Sequence, residues 1–319
     1  MEKNKKVVVI GGGTGIFSVL SGLKKYPLRL TAIVTMADDG GSTGILREEF
    51  GILPPGDVRR ALVALSQSAQ PLADLFNYRF SKGGLRGHSF GNLFLTALND
   101  LEGDFGKAIK QAEKILAVKG EVVPVTLDRV HLRAKLENNQ LIIGETNIDV
   151  PKHNGCLAIK KVYLQPSAFA NPLALKAIQQ ADLIIIGPGD LYTSLLPNLL
   201  VRGIPQAIKK SRAQKVYLAN IMTKFGETNN FRGENFVQEV EKYLGSDVLD
   251  KVIFNNHQPT AKRVAKYEQE KAQFVNYDSR ALADRKIQIL EEDLLRPRGF
   301  IRHDPEKTAW VLFNLITAQ

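Results

Sequence analysis

Lys6-Val7-Val8-Val9-Ile10-Gly11-Gly12-Gly13-Thr14-Gly15 is the stretch on which the fold turns. A continuous β-branched run reads as a strand covered on both faces, because a strand with one wet face would alternate apolar and polar residues. Glycines follow at once, and from Phe17 to Leu23 the apolar residues recur at helical spacing. The unit is strand, glycine turn, helix. Outward from it the rhythm repeats. Further strands are expected at Leu30–Thr35, Asp182–Ile186, Lys215–Asn220 and Val252–Asn255. Helices are expected at Asp57–Ser66, Pro71–Phe80, Phe90–Leu101, Phe105–Val118, Leu173–Ala181, Ser194–Lys210, Glu234–Leu244 and Pro305–Ala318. Buried strands alternating with helices predict an α/β fold with a mostly parallel sheet and helices on both faces. Between Val122 and Leu164 the pattern changes to apolar–polar alternation around Asn138-Asn139, with a further strand at Ile159–Leu164. This reads as a β-rich insertion in a single domain spanning residues 1–319.

Composition narrows the class. With 319 residues, 44% hydrophobic and 24% charged, the chain can bury a large core and is neither disordered nor fibrous. A single cysteine, Cys156, excludes an internal disulfide framework and a multi-thiolate zinc site; it is expected to be buried or half-buried. No apolar run approaches the roughly 18 residues of a membrane span. The short apolar run after the basic N-terminus ends in glycines, so it reads as a strand rather than a signal peptide, and a cytoplasmic location is expected. The formal net charge is +10, yet the basic residues are interleaved with acids, as from Lys262 to Lys286. A small anion fits that pattern better than nucleic acid. His131, His153, His257 and His303 fall at unrelated positions and suggest no metal cluster.

In an open parallel sheet, ligands bind beyond the carboxyl ends of the strands, so the loops that follow strands carry the functional information. Gly12, Gly13, Thr14 and Gly15 can bring backbone N–H groups up to a phosphate; the plainer reading is a tight turn. Ile16 occupies the last glycine position of the dinucleotide fingerprint and no Gly-Lys-Ser/Thr follows, which argues against a nicotinamide oxidoreductase and a P-loop. After the second strand come Asp38 and Asp39, with Ser42 and Thr43. Adjacent carboxylates in a glycine loop stabilise no core, so they suit a ribose or base, or a magnesium ion with phosphates, unless they form a solvated turn. Asp57 is an N-cap candidate, and of Arg59 and Arg60 one is expected to face a ligand and the other solvent. His88 suits a proton shuttle, a phosphate donor or a structural hydrogen bond, and Asn92 a donor to a base or phosphate. Gly189, Thr193 and Ser194 open a further helix as a second anion-binding turn, and Asn220 and Thr223 follow another strand.

The ordered segments GGGTG, MADDGGSTGILR, LPPGDVRRALVALS, GHSFGNLFLTAL, GPGDLYTSLLPNLLVRGIPQAI and NIMTKFGET, over residues 7–231, resemble the YvcK-type gluconeogenesis factors. These form the bacterial branch of the superfamily that includes 2-phospho-L-lactate transferase (CofD). The resemblance implies a Rossmann-like, three-layer α/β/α domain that binds a nucleotide-sugar such as UDP-N-acetylglucosamine. It implies a regulatory role tying carbon supply to cell-wall precursor synthesis and cell shape, with a protein partner in that metabolism. It implies no required cofactor. By motif matching, Gly12, Gly13, Thr14 and Gly15 lie along the diphosphate, Asp38 and Asp39 face the nucleotide or a metal, and Asn92, Thr193 and Asn220 line the rest of the pocket. Two positions depart from the pattern: Asp190 stands where a serine is more usual, and Lys224-Phe225 replaces Gln-Pro. The alternative is a magnesium-dependent transferase using a nucleotide-diphosphate donor. No catalytic residue is assigned, and a homo-oligomer stays open.

Overall fold

The computed structural model describes residues 4–282 and 284–317. Its strands are β1 (Lys6–Gly11), β2 (Arg29–Val34), β3 (Glu121–Pro124), β4 (His131–Leu136), β5 (Leu141–Ile143), β6 (Ile159–Gln165), β7 (Leu183–Ile186), β8 (Gln214–Leu218), β9 (Lys251–Asn255) and β10 (Gln288–Glu292). Seven form one sheet in the order β10-β9-β8-β7-β1-β2-β3. All its pairings are parallel, with Val7 opposite Leu30 on one side and Leu183 on the other. The central strands are buried along their length, as continuous Val and Ile runs require. This is the expected α/β, Rossmann-like architecture.

Strand order reverses between β1 and β7. From β1 the chain builds outward through β2 to β3; from β7 it builds the other way through β8 to β10. The loops after β1 and β7 therefore diverge from neighbouring strand ends, and a crevice opens where they part. They first touch closely: a Cβ on Gly15 would overlap the Pro188 carbonyl, and one on Gly189 would lie 3.3 Å from the Gly12 carbonyl. Helix Gly13–Leu23 packs on helices Pro55–Leu65 and Pro305–Thr317. At Gly22 the chain needs a glycine, because a Cβ would overlap the Pro305 carbonyl. Among the described residues no helix is long and apolar enough to cross a membrane.

The hairpin around Asn138-Asn139 is present, and β5-β4-β6 form a separate antiparallel sheet. Asn139 takes the left-handed conformation the turn needs (φ 68°). The segment at Val122, read as the start of the insertion, belongs to β3 on the edge of the main sheet.

Other departures have local causes. Helix Pro55–Leu65 starts at its proline, so Asp57 sits inside the first turn and Pro54 is the cap. The glycine loop after β2 winds into a helix, Gly41–Phe50, that its turn-like composition conceals. The long helix expected over Ser194–Lys210 is broken into a π-helical turn (Leu191–Leu195) and two short helices, with Gly203 at φ 100°. Cys156 is exposed. Strand β10 and helix Ala261–Glu268 had no expectation. The last helix runs Pro305–Thr317, and Ala318 lies outside the described residues.

Candidate functional site

The loops after β1, β2, β7 and β8 converge on one cleft at the carboxyl edge of the sheet. It has two lobes. The larger, about 620 Å³, is lined by Gly13, Thr14, Gly15, Gly189, Ser194, Asn220 and Thr223 among the expected residues. The smaller, about 370 Å³, takes in Asp38, Ser42, Thr43, Arg59, Asn92 and Thr193, and shares Gly13, Thr14 and Ser194 with the first. Gly12, Asp39 and His88 line neither lobe.

Several backbone N–H groups that a phosphate was expected to use are held by the protein's own carboxylates. Asp57 Oδ1 accepts from Gly13 N–H (2.9 Å) and from Arg60 (2.9 Å). Glu227 accepts from Tyr192 N–H (3.0 Å) and Thr193 Oγ1 (3.0 Å), filling the start of the turn at Leu191–Leu195. Asp39 accepts from Glu145 N–H (3.1 Å), Thr146 N–H (2.9 Å) and Thr146 Oγ1 (2.8 Å), so it caps the short helix Glu145–Asp149 after the antiparallel sheet. A carboxylate at a helix start satisfies orphan donors and complements the helix dipole.

Asp38 and Asp39 thus diverge: Asp39 ties the insertion to the main sheet, while Asp38 faces the small lobe. Burial, followed by the Asp57 charge, pushes Asp38 above the usual carboxylate range. Glu145 joins Asp38 in that lobe, pushed up to about 9 by burial and by Asp38 and Asp149, so it carries its proton at neutral pH.

Arg59 and Arg60 both line the small lobe, and neither is fully solvated. Arg59 is 6% exposed and donates from Nε to Asn92 (3.0 Å) and from Nη1 to Asn77 (2.9 Å). Burial and the neighbouring Arg60 and Arg79 bring its guanidinium down to about 10. Behind it, Ser42 Oγ lies 3.1 Å from His88 Nδ1 and accepts from Asn92 Nδ2 (3.3 Å). His88 therefore reaches the cleft only through Ser42.

Sequence reasoning missed the wall between the lobes. Lys224 Nζ pairs with Asp190 (2.8 Å), Glu227 (3.4 Å) and Asp149, drawn respectively from the loops after β7 and β8 and from helix Glu145–Asp149. Burial works against the Lys224 charge, but the three carboxylates outweigh it and raise its pKa. Also missed were Tyr267, Glu270, Arg302 and His303 in the large lobe. They come from C-terminal segments that carry no recognisable motif and follow no strand of the expected sheet, so no local signal marks them. Asn220 and Thr223 are largely spoken for: Asn220 Nδ2 donates to the Gly189 carbonyl (2.8 Å), and Thr223 Oγ1 accepts from Gln273 N–H (2.8 Å).

The comparisons place this architecture. The family described as 2-phospho-L-lactate transferase CofD matches residues 7–295. A putative gluconeogenesis factor of Nostoc sp. is 45% identical over 318 residues, 98% of this chain and 69% of that protein. The gluconeogenesis factor of Bacillus subtilis is 40% identical over 319 residues, 99% of each. A crystal structure of a related protein from Bacillus halodurans matches with a TM-score of 0.94 at 40% identity, covering 98% of this chain and 100% of that one. The chain therefore belongs to the CofD family and, within it, to the branch of the bacterial gluconeogenesis factors.

Proposed function

We propose that the chain is a nucleotide-sugar-binding regulatory protein of the cytoplasm, with UDP-N-acetylglucosamine or a related UDP-sugar as ligand, and that occupancy reports carbon supply to a protein partner in cell-wall precursor synthesis. One observation carries the reading. Turns distant in sequence, at Gly13–Gly15, Gly189–Ser194 and Asn220–Phe225, meet at a single cleft. Its large lobe has a polar floor and apolar or aromatic wall residues (Ile221, Met222, Phe225, Tyr267), the combination that holds a base or sugar face while polar groups fix its orientation. Regulation needs only that the ligand bind one conformation better than another.

Calorimetry of the full chain with UDP-N-acetylglucosamine, UDP-glucose, GDP and NADP tests this. Saturable binding of the UDP-sugars without turnover supports the regulator. Selective binding of NADP, or no binding of any UDP-sugar, overturns it.

A second reading, a magnesium-dependent transferase with a nucleotide-diphosphate donor, draws on the carboxylates of the small lobe. Asp38 and Asp57 oppose one another there, and a divalent cation between them relieves that repulsion. Asp38 and Asp57 are better placed to hold it than Asp38 and Asp39, because both Asp39 oxygens already accept hydrogen bonds. Bound there, the ion would neutralise donor phosphates. Magnesium-dependent consumption of such a donor would select this reading.

A further inference from the structure

The antiparallel sheet β5-β4-β6 has one buried face and one open face. Leu132, Ala134, Ile142, Val162 and Leu164 pack into the core, so the residues that alternate with them point outwards. The register sets these in rows: Ile143 beside Arg133 and Tyr163, and Leu141 beside Lys135 and Lys161. Leu141 and Ile143 are 53% and 54% exposed. Neither row holds an acid. Lys135 and Lys161 stand directly opposite one another, a like-charge pair that costs a sheet stability. Lys161 Nζ lies 5.7 Å from the Tyr163 ring, a weak contact that leaves its charge free for an acid. Glu137 lies past the end of β4 and accepts from Ala158 N–H (3.1 Å). The neighbouring Lys242 has its acid in Glu239 (2.9 Å), but among the described residues Arg133, Lys135 and Lys161 have none within ion-pair distance. Arg133 Nε is buried with no hydrogen-bond partner. The open face is thus cationic and partly aliphatic, and its charges are unanswered from within the chain.

One edge of the same sheet is closed and the other is free. On β6, Val162 N–H donates to Tyr243 Oη (2.9 Å) and the Lys160 carbonyl accepts from Lys242 Nζ (2.9 Å). On β5, bonds from Leu136 N–H to the Gln140 carbonyl and from Gly144 N–H to the Leu132 carbonyl make Ala134 and Ile142 a hydrogen-bonded pair. The backbone groups of Leu141 and Ile143 therefore point away from β4. Among the described residues only the Ile143 carbonyl is taken, by Asn147 Nδ2 (2.8 Å). Leu141 N–H and C=O and Ile143 N–H are left to an added strand. β5 runs directly into helix Glu145–Asp149, which carries Asp149 to the wall between the lobes. The surface adjoins the cleft without being part of it.

We propose that β5 and the open face beside it dock an extended, acidic segment of another protein, which adds to the sheet as a fourth strand. Its backbone continues the ladder at Leu141 and Ile143. Glutamates on its outward side lay their methylenes over Leu141 and Ile143 and bring carboxylates to Lys135 and Arg133. β4 is two strands from the newcomer, about 10 Å, a gap that a glutamate and a lysine or arginine span together. Residues on the other side of the added strand lie beside the buried Ile142 and are apolar, so the segment alternates acidic and apolar residues. Nucleic acid fits this surface less well. Single strands stack on exposed aromatic rings, whereas these rows hold one half-buried tyrosine and two exposed aliphatic side chains. A second copy of the chain fits less well too, because it carries a formal net charge of +10 and brings the same rows without an acid. The proposal concerns a surface outside the cleft and holds whatever the cleft binds.

The probe is a fluorescein-labelled ten-residue peptide alternating glutamate and valine, titrated into the full chain by fluorescence anisotropy at fixed ionic strength. A peptide with the same residues in two blocks and polyuridylate RNA are the comparisons. The expected result is saturable binding of the alternating peptide, tighter than either comparison, with slowed hydrogen exchange at the Leu141 and Ile143 amides. Lys161→Glu places an acid opposite Lys135, so the sheet keeps its fold while the charge offered to the peptide is answered internally. Affinity should fall about fivefold in that variant. Leu141→Pro removes one edge N–H and gives a similar loss, with folding checked by chemical denaturation. No saturable binding, equal binding of the two peptides, tighter binding of polyuridylate, or affinity untouched in both variants overturns the proposal. So does a dimer of the chain in sedimentation that Leu141→Pro abolishes, since a second copy would then be the occupant.

Discussion

Lys224 and Asp190 meet across the cleft, ammonium to carboxylate at 2.8 Å. Each belongs to one of the two places where the sequence leaves its family's pattern. In three dimensions they are one feature. The acid of one loop is held by the base of the next, and Asp149 and Glu227 complete the cluster.

Removing the cation should therefore harm more than removing one acid. Lys224→Gln leaves carboxylates facing each other in a half-buried setting and is expected to destabilise by about 2 kcal/mol. Adding Asp190→Ser to that variant should recover part of the loss. A double-mutant cycle by chemical denaturation measures the coupling, and strict additivity would mean the pair does not act together.

Asp38 and Asp39, adjacent in sequence, should separate in function. Asp39→Ala removes the cap of helix Glu145–Asp149 and is expected to cost about 1 kcal/mol of stability. Asp38→Asn leaves that cap intact and should act on ligand affinity in the small lobe. Parallel denaturation and calorimetry on both variants would show the division. Equal stability losses would refute it.

Glu145 sets a dependence at neutral and alkaline pH. Folded, it keeps its proton to about 9; unfolded, it releases it near the ordinary glutamate value. The unfolded state then binds fewer protons, so the wild type loses stability as pH rises between those values. Glu145→Gln cannot ionise. Its stability relative to wild type should be near its lowest at pH 4 and increase towards pH 9, as read from melting curves across that range.

His303 acts at the acid end. It is buried, and burial brings its imidazole down to about 4. Its stability contribution is fully present above the unfolded histidine value near 6.5 and is lost as pH falls towards 4, because the unfolded chain takes up the proton first. The loss should be on the order of 3 kcal/mol, and His303→Gln should flatten that limb of the stability–pH curve.

The parallel sheet was legible because continuous β-branched runs such as Val7–Ile10 and Ile184–Ile186 have few other uses in a folded chain. The glycine turns that follow them, and so the edge of the sheet that holds the cleft, were legible for the same reason. Helix Gly41–Phe50 was not, since Gly, Ser and Thr at its start are equally the residues of a loop. The break within Ser194–Lys210 was also hidden, because apolar periodicity runs through it.

By itself the sequence determined the central strands, that they lie parallel, and which of their loops share an edge, because each follows from a local pattern of burial and backbone freedom. Only the tertiary structure decided which hydrogen-bond donors remain for a ligand. Asp57, Glu227 and Asp39 reach theirs from neighbouring loops, while Arg59 spends two of its own donors on the amides of Asn92 and Asn77. Such assignments depend on distances between a carboxylate and backbone N–H groups 30 to more than 100 residues away, a relation that no local stretch of sequence encodes.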